Sequence, residues 1–236
     1  MKPVLFVKAD DFETFGVGPQ AIDDAGAELR VWEAVAGHGA PDLDEVSGLV
    51  LFGSSYNVEH ADEQPFIHAM RAMTLEALDR RLPYLGICFG AQVLAWSLGA
   101  PIHKAPVREV GYVSLRPQTS AADDPLLSHY ADGDRVFQWH MDTFDLPDGA
   151  QLLAAGDDVT NQAYRIGETT WATQFHFEID VPELELWIGE VADVVEREWG
   201  KSPQTLRSEA TAYHVRHEDQ GREVFRRFVK VARERA

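Results

Sequence analysis

The stretch "YLGICFGAQVLAWSLGA", residues 84–100, decides the reading of this chain. It opens on a short apolar run, passes through Gly86, Cys88 and Gly90, and continues as "AQVLAWSL", an apolar segment of helical character closed by Gly99. Cys88 is the only cysteine in the sequence. A strand, a Gly-x-Cys-x-Gly turn and an immediate helix have the form of a nucleophile elbow. The two glycines leave room for a sharp turn that lifts the Cys88 side chain above the strand ends. The helix then aims its free N–H groups and positive dipole end at the sulfur, which favours thiolate over thiol. A lone cysteine by itself reads as a small buried hydrophobe; the glycines and the strand-to-helix switch turn the reading towards chemistry.

Working outward, short β-type runs alternate with helical patterns. "PVLFV" (3–7), "LRVWEA" (29–34) and "GLVLFG" (48–53) read as strands, and "PQAIDDAGA" (19–27) as a helix. Pro65 suits a helix start, and Phe66, Met70, Met73 and Ala77 recur after it at helical spacing. The alternation predicts an α/β fold with a mostly parallel central sheet, right-handed crossovers and helices on both faces. Ligand sites in such sheets lie at the carboxyl ends of the strands. From residue 101 the strand-like pieces "VGYVSLRP", "RVFQWH", "AQLLAAG", "NQAYRIG" and "TTWATQFHFE" suggest a more antiparallel continuation. Leu184, Trp187, Ile188, Val191 and Val195 mark one amphipathic helix running to Gly200. A second helix is expected from Ser202 and Pro203 to the end, with a break near Gly221. Residues 1–180 are thus expected to form one domain, with 181–236 as a helical C-terminal extension packed on it.

Charge and composition narrow the function. The net charge is −18, from 39 acidic against 21 basic residues, which argues against nucleic acid or an anionic membrane surface as partner. No run approaches the ~18 apolar residues of a spanning helix, and the apolar run at the N-terminus is too short for a signal peptide. The expectation is a soluble cytoplasmic protein. No His-x3-His or Cys-x2-Cys pair occurs, so neither a metal nor a cofactor is signalled.

A cysteine nucleophile needs a base and a group to orient that base. Among nine histidines, His176 in "TQFHFEID" stands out because Glu178 follows two residues later at the carboxyl end of an apolar strand. Side chains at i and i+2 of an extended segment share a face, which lets the carboxylate fix the imidazole tautomer. The bland alternative is a surface His–Glu pair. His38, His60, His68, His214 and His217 read as loop, helix-surface or solvated residues.

Taken together, these segments resemble the class I glutamine amidotransferase family, in particular stand-alone members similar to the glutaminase domain of GMP synthetase. "LGICFGAQVLAWSLGA" resembles the family's cysteine elbow, "FQWHMDTFDLP" its downstream Trp-His segment, and "NQAYRIG" with "WATQFHFE" its last strands carrying His and Glu. The similarity runs from about residue 4 to 180. It implies a flavodoxin-like amidotransferase fold in which Cys88 attacks the side-chain amide of glutamine, His176 is general acid/base and Glu178 its orienter. The oxyanion would be met by the backbone N–H groups of Phe89 and Gly53, and Gln92 would contact the bound glutamine. The "QWHMD" loop would close the pocket, with His140 structural rather than catalytic.

Two positions depart from the family pattern. Phe177 stands where proline is usual between His and Glu, and Phe52–Gly53 stands where two glycines are usual. No Gly-x4-Gly-Lys-Ser/Thr phosphate loop is present, and no second domain is legible after the His–Glu strand. A synthetase or other acceptor enzyme is therefore an expected partner, with "GSSYNV" (53–58) as an element that could switch an oxyanion N–H. If the leaving group is larger than ammonia, the activity would be γ-glutamyl peptide or amine hydrolysis. A non-catalytic regulatory protein of the same fold is the rival from another class. Cysteine-elbow peptidases and chaperones are disfavoured, because they carry His directly after Cys and this chain has Phe89.

Overall fold

The computed structural model describes residues 1–235. In chain order the elements are β1 (Val4–Lys8), α1 (Gly18–Asp24), β2 (Leu29–Glu33), β3 (Gly48–Leu51), α2 (Pro65–Asp79), β4 (Tyr84–Ile87) and α3 (Phe89–Ser97). They continue with β5 (Ile102–Ser114), β6 (Arg116–Pro117), β7 (Arg135–Phe144), β8 (Gln151–Ala155), β9 (Ala163–Ile166), β10 (Thr170–Thr173), α4 (Val181–Val191), α5 (Val195–Trp199) and α6 (Pro203–Arg235).

Eight strands form one sheet in the order β2-β1-β3-β4-β10-β9-β8-β6. The first five run parallel to one another, and β9, β8 and β6 extend the sheet antiparallel. β1 shows why its sequence is a continuous apolar run. Val4 and Phe6 enter the core beneath α1 and α6, whereas Leu5 and Val7 enter the core beneath α2 and α3. A strand covered on both faces needs no polar alternation. Pro65 occupies the first turn of α2, and Ile67, Met70, Met73 and Ala77 form its buried stripe.

β5 and β7 leave this sheet as a separate antiparallel ribbon, longer than the sequence pattern suggests. A single bridge between Phe137 and His176 ties the ribbon to the chain beyond β10.

The C-terminal region differs from expectation in three ways. The helix expected over 181–200 is two pieces, α4 and α5, closed by Gly200 at φ 72°. In one straight helix Trp187 and Trp199 would lie about 18 Å apart along the axis; here each ring sits 6.0 Å from that of Trp139. α6, by contrast, runs unbroken through Gly221. The glycine serves close packing there, since a Cβ would overlap the Phe177 carbonyl. His217, expected on a solvated face, is buried edge-on against Tyr112 at 5.3 Å, and burial lowers its pKa to about 4.

α6 is stitched to the sheet by aromatic contacts. Phe225 lies 5.6 Å from Phe6, 6.4 Å from Phe52 and 5.2 Å from Phe177. Pairs of this kind contribute about 0.5–1.5 kcal/mol beyond their area. Both departures from the family pattern, Phe52 and Phe177, thus converge on one ring of the tail helix.

Candidate active site

β4 ends at Ile87 and α3 begins at Phe89, so Cys88 alone makes the turn. Its backbone sits at φ 50°, ψ −102°, a conformation that non-glycine residues adopt only where the surroundings impose it. Here the Cys88 N–H is held by the Thr173 carbonyl at 2.7 Å, while its own carbonyl accepts from Ala91 and Gln92 at 3.0 and 3.1 Å. The neighbouring glycines are steric requirements. A Cβ on Gly86 would come within 2.6 Å of the Gly90 carbonyl oxygen, and one on Gly90 would overlap the Leu51 carbonyl.

His176 lies beyond the end of β10 on a bent segment rather than within the strand, its N–H bonded to the Phe137 carbonyl at 2.9 Å. Its Nδ1 is 2.6 Å from Glu178 Oε1, which leaves Nε2 for the cavity. Burial opposes charge on this ring. Attraction to Glu178, strengthened by the hydrogen bond between them, and to the Cys88 sulfur outweighs it and raises the His176 pKa to about 10. Gly53 approaches the same ring, and a Cβ there would stand 2.6 Å from His176 Cε1. Any larger residue at 53 would displace the imidazole.

A cavity of about 310 Å³ gathers Cys88, His176, Gly53, Phe89 and Gln92 into one lining. Glu178 stands behind His176, fully buried. Among the described residues the N–H groups of Gly53 and Phe89 have no backbone hydrogen-bond partner. Gln92 Nε2 donates to the Asp142 carbonyl at 3.2 Å, which fixes the Gln92 side chain at the cavity wall. Ser54 Oγ donates to the Ala9 carbonyl and the Ser55 N–H to Asp10, both at 2.7 Å. These bonds anchor the loop after β3, where the sequence suggested a freely switching segment. The "QWHMD" stretch is strand β7 rather than a loop. Both His140 nitrogens are engaged, by Glu109 at 2.9 Å and by the Asp142 carbonyl at 3.0 Å.

The sequence of the chain matches the model of the Glutamine amidotransferase class-I family over residues 20–184. The chain belongs to this family. A GMP synthase (glutamine-hydrolyzing) of Porphyromonas gingivalis is 40% identical over 140 residues, covering 58% of this chain and 26% of that protein. The glutamine amidotransferase-like protein YfeJ of Salmonella typhimurium is 28% identical over 77% of this chain and 78% of its own. The crystal structure of a glutamine amidotransferase from Thermotoga maritima superposes with a TM-score of 0.86 at 25% identity, covering 98% of this chain and 97% of that one. The chain spans about a quarter of the length of the GMP synthase it matches.

Several residues of this amidotransferase-family site were not singled out from sequence. Gln174 Nε2 lies 3.5 Å from Cys88 Sγ; its place two residues before His176 was the available signal. Trp139, Trp187 and Trp199 line the cavity, with Trp187 edge-on to His176 at 4.9 Å. Behind the site, Glu183 Oε1 accepts from the Thr14 N–H at 2.9 Å and Glu13 Oε1 from the Phe15 N–H at 2.7 Å. Burial first, and then the neighbouring carboxylates, hold the Glu13 carboxyl well above the usual range. Burial likewise raises Glu183. No local sequence pattern joins residues so far apart.

Proposed function

We propose that this chain hydrolyses γ-glutamyl amides, glutamine being the smallest, through a thioester on Cys88. The observation that carries the reading is the strained Cys88 turn at the start of α3, facing a His176 ring that Glu178 holds at 2.6 Å. The Cys88 sulfur bonds to the γ-carbonyl carbon, and the N–H groups of Phe89 and Gly53 receive the oxyanion. The C–N bond then breaks as His176 gives its proton to the departing nitrogen. A water surrenders a proton to His176 and attacks the thioester, and breaking the C–S bond releases glutamate and restores the thiolate. Glu178 holds the ring in the required orientation throughout. Gln92 borders the bound glutamyl group.

With ammonia as leaving group, the partner is an acceptor enzyme that uses it. The name of the Porphyromonas relative, which joins glutamine hydrolysis to a synthase, supports this. A second reading, in which a larger amine leaves, is favoured by the tryptophans that extend the cavity beyond His176. Glutamate release by the purified chain from glutamine and a panel of γ-glutamyl amides tests both, and turnover retained in Cys88→Ala would overturn the thioester route.

A further inference from the structure

We propose that the leaving-group side of the cavity is built for an amine bearing a second, positively charged group, so that the substrate class is the γ-glutamyl amide of a diamine or a similar cationic amine. The inference rests on the hydrolase reading above and names the substrate of the same site.

Position comes first. In that reading His176 delivers a proton to the departing nitrogen, so whatever packs beside His176 on the cavity side borders the leaving group. Trp187 is that neighbour, 4.9 Å from the imidazole. Trp139 stands 6.0 Å from Trp187 and Trp199 a further 6.0 Å from Trp139, each edge to face, so three indoles form a continuous wall. Glu190 lies three residues after Trp187 on α4, hence on the same helix face. Among the described residues its carboxylate is exposed and in no ion pair.

Charge then selects the ligand. The described lining contains Asp10, Glu13, Asp142 and Glu190 but neither lysine nor arginine. At the tryptophan end of the cavity an anionic amine would meet the Glu190 carboxylate with no lysine or arginine to offset it. A neutral alkylamine would cover Glu190 and leave its charge without a partner, which is costly. A cation satisfies both features, because indole faces attract ammonium groups and a nearby carboxylate adds to that attraction. The wall already takes such a contact from outside the cavity, where the Arg108 guanidinium lies 5.7 Å from the Trp199 ring. The α-ammonium of the glutamyl group is not the occupant meant here. It belongs to the part of the substrate on the Gln92 side of Cys88, and it is common to every compound compared below.

The test uses three amides that differ only at the far end of the amine: γ-glutamyl-1,4-diaminobutane, γ-glutamyl-n-butylamine and γ-glutamyl-4-aminobutyrate. Binding is measured by calorimetry on Cys88→Ala protein, and turnover on the wild type. The cationic amide should bind at least tenfold more tightly than the neutral one and at least a hundredfold more tightly than the anionic one, with kcat/KM in the same order. Glu190→Gln should narrow the first ratio to within threefold, mainly through KM, and Glu190→Lys should invert the order of cationic and anionic amides. Equal binding, a preference for the neutral or anionic amide, or no binding by any of the three overturns the proposal. If all three are hydrolysed with equal kcat/KM, the hydrolase reading stands and this one falls. If none is hydrolysed yet the binding order holds, the reaction is wrong and the pocket assignment survives.

Discussion

The carbonyl of Phe177 rests directly on the Cα of Gly221, so closely that no side chain fits between them. Phe177 is the residue between His176 and Glu178, and Gly221 is mid-way along α6. The tail helix therefore backs the segment that carries the imidazole and its carboxylate.

Gly221→Ala should push α6 away from that segment. We expect a loss of about 1–3 kcal/mol, the range for overpacking, together with reduced kcat. Gly189→Ala is the control, because a Cβ there meets nothing within 4 Å. It should leave stability unchanged or raise it by up to about 1 kcal/mol through helix propensity. Chemical denaturation and glutamate release read both variants.

Strain at Cys88 predicts a difference between two inactive proteins. Cys88→Ala and Cys88→Gly should both lose hydrolysis, yet the glycine variant should be the more stable by about 1 kcal/mol, since φ 50° penalises any Cβ. Equal melting temperatures would place the strain elsewhere.

The raised pKa of His176 sets a pH window. Because the folded value of about 10 exceeds the ordinary 6.5, its stabilising contribution is complete below about pH 6.5 and is lost as pH climbs through about 10. The alkaline limb of activity should fall in the same region, where the proton donor is lost. Glu178→Gln removes a main attraction, so that limb should move to lower pH. Its kcat should fall less than that of His176→Ala, since the orienter takes no part in bond making. A pH–rate profile of the two variants decides.

Glu13 has the same sign of linkage as His176, starting from the ordinary carboxylate value. Its carboxyl is raised by burial and by Glu183 and Glu178, so stability is greatest at low pH and is lost as pH rises above the ordinary carboxylate value. Glu13→Gln keeps an oxygen for the Phe15 N–H and removes the charge. It should be more stable than the wild type at pH 8, with the gap closing towards pH 5 in thermal melts.

Much of this was legible in the chain because it is local. The elbow needs Gly86, Cys88 and Gly90 within five residues, the His–Glu pair needs two positions, and a doubly covered strand such as β1 announces itself by unbroken apolar sequence. The rest depends on distant contacts. Gly221 looks like a helix breaker until the Phe177 carbonyl is placed against it. His217 looks solvated among charged neighbours, although the ribbon of β5 and β7 covers it. The Trp187 wall could not be read either, because the break between α4 and α5 has no strong breaker in "ADVV".

The family match stops at residue 184, whereas Trp187, Glu190 and Trp199 all follow it. On the proposed assignment, the groups that face the scissile carbonyl fall inside the matched portion, while the wall that meets the departing amine combines Trp139 from within it with Trp187, Glu190 and Trp199 from beyond it. On that assignment, a graft of residues 185–200 between relatives, a cassette of sixteen residues, should shift preference for the amine while leaving the reacting atoms in their native setting.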